Sequence, residues 1–200
     1  MRFIPLSFAL LSLAGPAAAQ DAGYYAKVFG GLSDLQGNSA TLGGAAQSVS
    51  YGSGAIYGGA FGYDYGDRPF RAELEFSYRT GEATGSIGGD YASTTFLLNG
   101  YYVFAGSGAF KPYVGLGLGY VTEIDFDVTS GASIGEYSDR RLFAAQAMLG
   151  ADYSLSERLS LFGELRYFTT ETPELSGPGG AILSADYETF DLIAGVTLKF

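Results

Sequence analysis

Residues 70–79, Phe-Arg-Ala-Glu-Leu-Glu-Phe-Ser-Tyr-Arg, alternate without a break. Phe70, Ala72, Leu74, Phe76 and Tyr78 fall on one phase, and Arg71, Glu73, Glu75, Ser77 and Arg79 on the other. Successive strand side chains point to opposite faces, so this is a strand with one apolar and one charged face. A soluble amphipathic strand reads the same way, and the decision rests on the rest of the chain. Seven further segments repeat the alternation, at residues 24–33, 54–65, 93–104, 112–121, 142–154, 159–168 and 189–200. Each is near the ~9–11 residues that a tilted strand needs to cross the hydrocarbon of a bilayer.

Pooling the eight segments separates the readings. The apolar phase, which includes Val28, Tyr57, Phe61, Phe96, Leu98, Leu116, Leu118, Phe143, Leu149, Leu161, Leu165 and Leu192, contains no Asp, Glu, Lys or Arg. Complete exclusion of charge matches the cost of charge on a lipid face. The opposite phase carries Lys27, Asp64, Arg71, Glu73, Glu75, Arg79, Asp152, Glu164, Arg166, Asp191 and Lys199, five basic and six acidic. Near-balanced charges can pair inside a narrow barrel, whereas a soluble barrel of this size would turn its apolar phase inward. The pattern therefore predicts an all-β, inside-out, eight-stranded antiparallel up-and-down transmembrane β-barrel. Only helices and closed barrels satisfy the backbone in lipid, and no continuous apolar run of helical length follows the N-terminal segment.

Connection lengths alternate. Residues 66–69, 105–110 and 155–158 are short and supply turn residues, whereas 34–53, 80–92, 122–141 and 169–188 are long and rich in Gly, Ser, Thr and acid. The short ones are assigned to the periplasmic rim and the long ones to four external loops, with both termini in the periplasm. Aromatic residues cluster near both ends of the strands, as interface belts do.

Residues 1–19, MRFIPLSFALLSLAGPAAA, carry one positive charge at Arg2, an apolar stretch and small residues at the end. This pattern predicts a cleavable signal peptide over 1–19, cut after Ala19 with Ala17 as the other small recognition residue, followed by a barrel domain over 20–200. The alternative, a short membrane anchor, falls short of the ~20 apolar residues a spanning helix needs. The formal charge is −10, and removing Arg2 with the signal leaves 10 basic against 21 acidic residues. Such a balance disfavours a nucleic-acid partner.

The segments 97–102 (LLNGYY), 111–120 (KPYVGLGLGY) and 190–200 (FDLIAGVTLKF) resemble the small eight-stranded outer-membrane barrels of Gram-negative bacteria. This is the porin-like family that includes OmpA-type and OmpX-type barrels, opacity adhesins and related surface antigens, and the likeness covers residues 24–200. It implies residence in the bacterial outer membrane after export through the periplasm. It also implies that Val196, Leu198 and Phe200 form the alternating signal read by the barrel-assembly machinery. Two-domain relatives carry a peptidoglycan-binding domain after the barrel; none is seen here, so cell-wall anchoring is not expected.

The chain has no His and no Cys, which removes Ser-His-acid chemistry, thiol catalysis, and the usual imidazole and thiolate metal sites. Two of Glu73, Glu75 and Glu164 could be an acid/base pair, or all three structural partners of Arg71, Arg79 and Arg166; carboxylates beside Arg stay ionised, which favours structure. The alternation Gly115-Leu116-Gly117-Leu118-Gly119 lacks the Lys-Ser/Thr of a phosphate loop and reads as strand. Glu123, Asp125, Asp127, Glu136 and Asp139 crowd one external loop, and Glu171, Glu174, Asp186 and Glu188 another. Their spacing follows no known calcium loop, which favours a solvated acidic face over a defined ion site. A haem ligand could come only from loop or rim tyrosines such as Tyr51, Tyr91 or Tyr137.

No enzyme activity and no cofactor are expected. The expected role is structural and surface-interactive, with four loops presented outside; the alternative is a narrow porin-like channel for small solutes or ions. Outer-membrane lipid, lipopolysaccharide, the assembly machinery and an extracellular ligand or host surface are the expected partners.

Overall fold

The computed structural model describes residues 22–200 apart from 37–38, 67, 86–87, 106–107 and 131–133. The expected signal peptide and its cleavage residues lie outside the described residues. The strands are β1 (Ala22–Gln36), β2 (Ser39–Leu42), β3 (Ala45–Tyr51), β4 (Ser53–Tyr65), β5 (Phe70–Gly85), β6 (Gly88–Val103), β7 (Phe110–Ser130), β8 (Gly135–Asp139), β9 (Leu142–Ser154), β10 (Leu159–Thr170), β11 (Glu174–Ser176), β12 (Ile182–Ser184) and β13 (Glu188–Lys199). Eight of them close an antiparallel barrel in the order β1, β4, β5, β6, β7, β9, β10, β13 and back to β1.

The alternation sorts as the sequence predicts. Val28, Leu74, Leu98, Leu116, Leu165 and Leu192 are exposed, Leu116 at 70%, while Lys27, Glu73, Glu75, Arg79, Glu164 and Arg166 are buried, Arg79 at 0%. Paired aromatics ring both ends of this apolar belt. Tyr57–Tyr78, Tyr120–Phe143 and Tyr167–Phe190 are at one end and Phe70–Tyr102 at the other, with ring centroids 5.1–6.0 Å apart.

The four external loops are a correction. Most of residues 34–53, 80–92, 122–141 and 169–188 is strand: β5 and β6 run straight through, β7 extends to 21 residues, and β2, β3, β8, β11 and β12 are the chain neighbours of β1, β4, β9, β10 and β13. These extensions close a second ring, β5, β6, β7, β8, β11, β12, β2, β3 and back to β5, in the same circular order as the barrel beneath. The protein is thus one tall cylinder, and we call its upper part the crown. These strands are hidden in the sequence because the Ser, Thr and acidic residues of the crown no longer make the apolar contrast that marks a lipid-facing strand.

In the crown the polarity of the wall inverts. On β5 the outward series Phe70, Ala72, Leu74, Phe76, Tyr78 continues as Thr80, Glu82, Thr84, and on β6 the outward Leu98 and Phe96 give way to Thr94, Ala92 and Asp90. Inward, charged residues give way to Leu35, Val49, Ala83, Tyr91, Ile124, Phe126, Val128, Tyr137, Leu175, Leu183 and Tyr187, which form one buried cluster. Strand β7 makes the change with a bulge. Thr94 faces Glu123 and Thr95 faces Val121, so Thr122 is an extra residue and the phase of β7 shifts by one. Below the bulge Val121 and the glycines point inward; above it Ile124, Phe126 and Val128 do, with Glu123, Asp125 and Asp127 outside. Were β7 to pair regularly through Thr122, with no bulge, the three acids would be driven into the apolar core.

Candidate functional site

The eleven lumen charges named above all enter ion pairs across the barrel interior. Lys27 Nζ lies 2.9 Å from Glu73. Arg166 bridges Glu75 and Glu164, its Nη2 2.7 Å from the latter. Arg71 joins Asp64 to Asp152, Lys199 Nζ reaches Asp64 at 2.7 Å, and Arg79 Nη2 reaches Asp191 at 2.8 Å. Neutral donors complete the carboxylates: Tyr25 and Tyr101 donate to Glu73, Asn99 to Glu75, Tyr113 to Glu164 and Ser33 to Asp191. A low-dielectric interior makes each such bond strong and an unpaired charge very costly, so the lumen depends on every charged side chain having an opposite partner. Glu73, Glu75 and Glu164 are thus tied to cations and to the neutral donors Tyr25, Tyr101, Asn99 and Tyr113, an arrangement suited to packing.

Glycine makes room for the large lumen side chains. A Cβ on Gly62 would come within 2.3 Å of the Tyr25 ring, and one on Gly150 within 2.6 Å of Tyr113. The Gly-Leu alternation of β7 is therefore strand wall, its glycines facing Tyr101, Asn99 and Gln146. Arg79 also stacks on Phe168, its guanidinium carbon 4.1 Å from the ring centroid. Phe168 belongs to the apolar crown cluster, so the Arg79–Asp191 pair is the floor on which the crown core rests. Between floor and top a cavity of about 30 Å³ is lined by Leu35, Val49, Tyr91, Phe126, Leu175 and Tyr187, among others. That is room for little more than a water molecule. Tyr91 and Tyr137, considered above as haem ligands, are core residues of the crown, 3% and 0% exposed; Tyr91 lies beside Tyr187.

The outer wall of the crown is acidic on one side. Glu82 pairs across strands with Asp90, Asp90 with Asp127, and Asp127 with Glu136, a row of four like charges on adjacent strands. Like charges directly opposite are destabilising, so this row weakens the crown it decorates. Among the described residues no group of three or more acidic side chains is placed to hold a metal ion. Asp125, one rung below, has its carboxyl pushed above the usual range by partial burial and by Glu123 and Glu136. The folded crown holds this proton more tightly than the unfolded chain, so the penalty is full at neutral pH and is relieved as pH falls through the raised value. Asp125→Asn is therefore expected to slow proteolysis of the crown at pH 7 while changing little once Asp125 is protonated. An equal effect of the substitution at both pH values would contradict this.

The family model for the outer membrane protein β-barrel domain matches residues 4–200. The chain belongs to this family. It resides in the bacterial outer membrane, as its relatives do. It is 28% identical over 176 residues to outer membrane protein PagN of Salmonella typhimurium, covering 72% of this chain and 73% of the relative. It is 30% identical over 127 residues to outer membrane protein W of Vibrio cholerae, covering 58% of each. Among solved structures it resembles Neisserial surface protein A with a TM-score of 0.60 at 17% identity, covering 90% of this chain and 99% of that one. It also resembles outer membrane protein AlkL in lipid bilayers with a TM-score of 0.59 at 20% identity, covering 94% of each. At these identities the two structures speak for the fold of the family.

Proposed function

We propose that this outer-membrane barrel is a closed, structural protein whose working surface is the crown, presented outside the cell for interaction with other surfaces. The observation that supports this reading is the ion-pair network spanning the lumen, capped by the Arg79–Asp191 floor and the apolar crown core. An interior filled by paired side chains works against a hydrated path for ions. The crown is closed by backbone pairing around its ring and so binds at a lower ordering cost than free loops would. A narrow channel for small solutes or ions, the other reading of the sequence, would require these pairs to part.

One preparation of proteoliposomes tests both halves. Fused to a planar bilayer, the refolded protein is expected to leave the baseline flat; discrete, long-lived openings would put transport ahead of surface interaction. The same liposomes are expected to attach to cultured host cells. Attachment should fall when Glu82, Asp90, Asp127 and Glu136 are together replaced by Thr. Attachment no greater than that of protein-free liposomes would remove the surface role.

A further inference from the structure

The ring at which the wall changes from apolar to polar carries a conspicuous exception to the acidity of the crown. Its outward positions are Asp34, Ser53, Thr80, Thr94, Glu123, Thr169 and Glu188, with Arg140 and Arg141 between β8 and β9. Among the described residues these two are the crown's basic residues. The other described Lys and Arg are the five in the lumen and Arg68, Lys111 and Arg158 at the opposite end. Arg141 is also the one non-glycine among the described residues with a positive φ, 66°. Leu142 points inward, so regular alternation would place Arg140 inward as well, against the apolar core. The left-handed turn at Arg141 leaves both guanidinium groups outside instead.

Arg140 Nη2 donates to Glu123 Oε1 at 2.6 Å, yet its side chain is 70% exposed, so that pair steers the guanidinium along the wall without consuming it. Arg141 is exposed and enters no ion pair among the described residues. One step below lies the outward Tyr120–Phe143 pair of the aromatic belt, which sits at headgroup depth in a bilayer. We propose that Arg140 and Arg141 form a clamp for a phosphomonoester on the headgroup of an outer-leaflet lipid. Two adjacent planar forks match the oxygens of a phosphate. Acids flank the pair, with Glu123 on Arg140 and Asp139 accepting the Arg140 backbone N–H, and recur around the ring, so the two guanidinium groups alone fix which side of the barrel an anionic lipid occupies. The proposal is independent of the surface role, since it needs only residence in the outer membrane.

The test uses the full chain refolded in neutral-detergent micelles and fluorescent lipid A, with or without its phosphates, with folding checked by heat-modifiable migration. Wild type is expected to bind the phosphorylated form more tightly. Arg140→Gln with Arg141→Gln should weaken that binding about thirtyfold, a factor near five for each arginine. Arg68→Gln at the opposite rim should leave it unchanged. Equal binding by the double variant overturns the proposal, as does equal binding of dephosphorylated lipid A, which would assign the contact to acyl chains. Displacement of the lipid by an equal concentration of inorganic phosphate also overturns it, because the site would then belong to a soluble anion.

Discussion

Arg166→Ala is expected to destabilise the refolded barrel by about 3–5 kcal/mol, the usual result of removing one partner from a buried charge cluster. The residue is 3% exposed and bonds Glu75 and Glu164 at once, so its loss strands two carboxylates in the lumen. Nearby donors do not replace it: Asn99 and Tyr113 each already serve one of these carboxylates, and neither carries a charge. The loss should appear as a lower urea midpoint in micelles. Replacing the charges together, Arg166→Met with Glu75→Gln and Glu164→Gln, should recover most of the stability, because no uncompensated charge remains. A loss below about 1 kcal/mol for Arg166→Ala would mean that water enters the lumen freely, since only solvation could replace the partner so cheaply.

Leu116→Arg is expected to cost about 2–4 kcal/mol, whereas Asp127→Arg, further up the same strand and on the same exterior, should stay within about 0.5 kcal/mol. The difference follows from the inversion of the wall at Thr122. Leu116 faces the hydrocarbon, while Asp127 faces water between the like-charged Asp90 and Glu136. Refolding yield and urea midpoint in lipid vesicles measure it. Equal penalties at the two positions would place the crown inside the bilayer.

Part of the lumen was legible because its chemistry is strictly positional. Arg71, Glu73, Glu75 and Arg79 lie at alternate positions of one strand, so their common face follows from the strand period alone. Their partners do not. Arg166 meets Glu75 across 91 positions of sequence and Arg79 meets Asp191 across 112. Only barrel closure and strand stagger bring these side chains together. Of the carboxylates, Glu75 and Glu164 share Arg166, Glu73 takes Lys27, and Arg71 turns to Asp64 and Asp152.

The crown escapes a strand pattern for a related reason. A sequence pattern reveals a strand through the contrast between its faces, and the outward residues there are short, polar and turn-like by composition. Their inward partners Ile124, Phe126 and Val128 do alternate, but out of phase with the segment below, because Thr122 adds a residue that only the backbone ladder exposes. Tyr91 and Tyr137, taken alone, are as compatible with a rim as with a core, and their burial is a property of the closed ring.

The barrel, its eight membrane strands and the face of each that meets lipid all follow from the order of residues along the chain, because a period of two and the exclusion of charge from hydrocarbon act one strand at a time. Which charges pair, the continuation of the cylinder beyond the bilayer with its polarity reversed, and the outward placement of both Arg140 and Arg141 at the boundary come from the folded chain. Each of these depends on contacts between strands distant in sequence, or on a single bulge or left-handed residue whose effect on side-chain direction appears only once neighbouring strands fix the register.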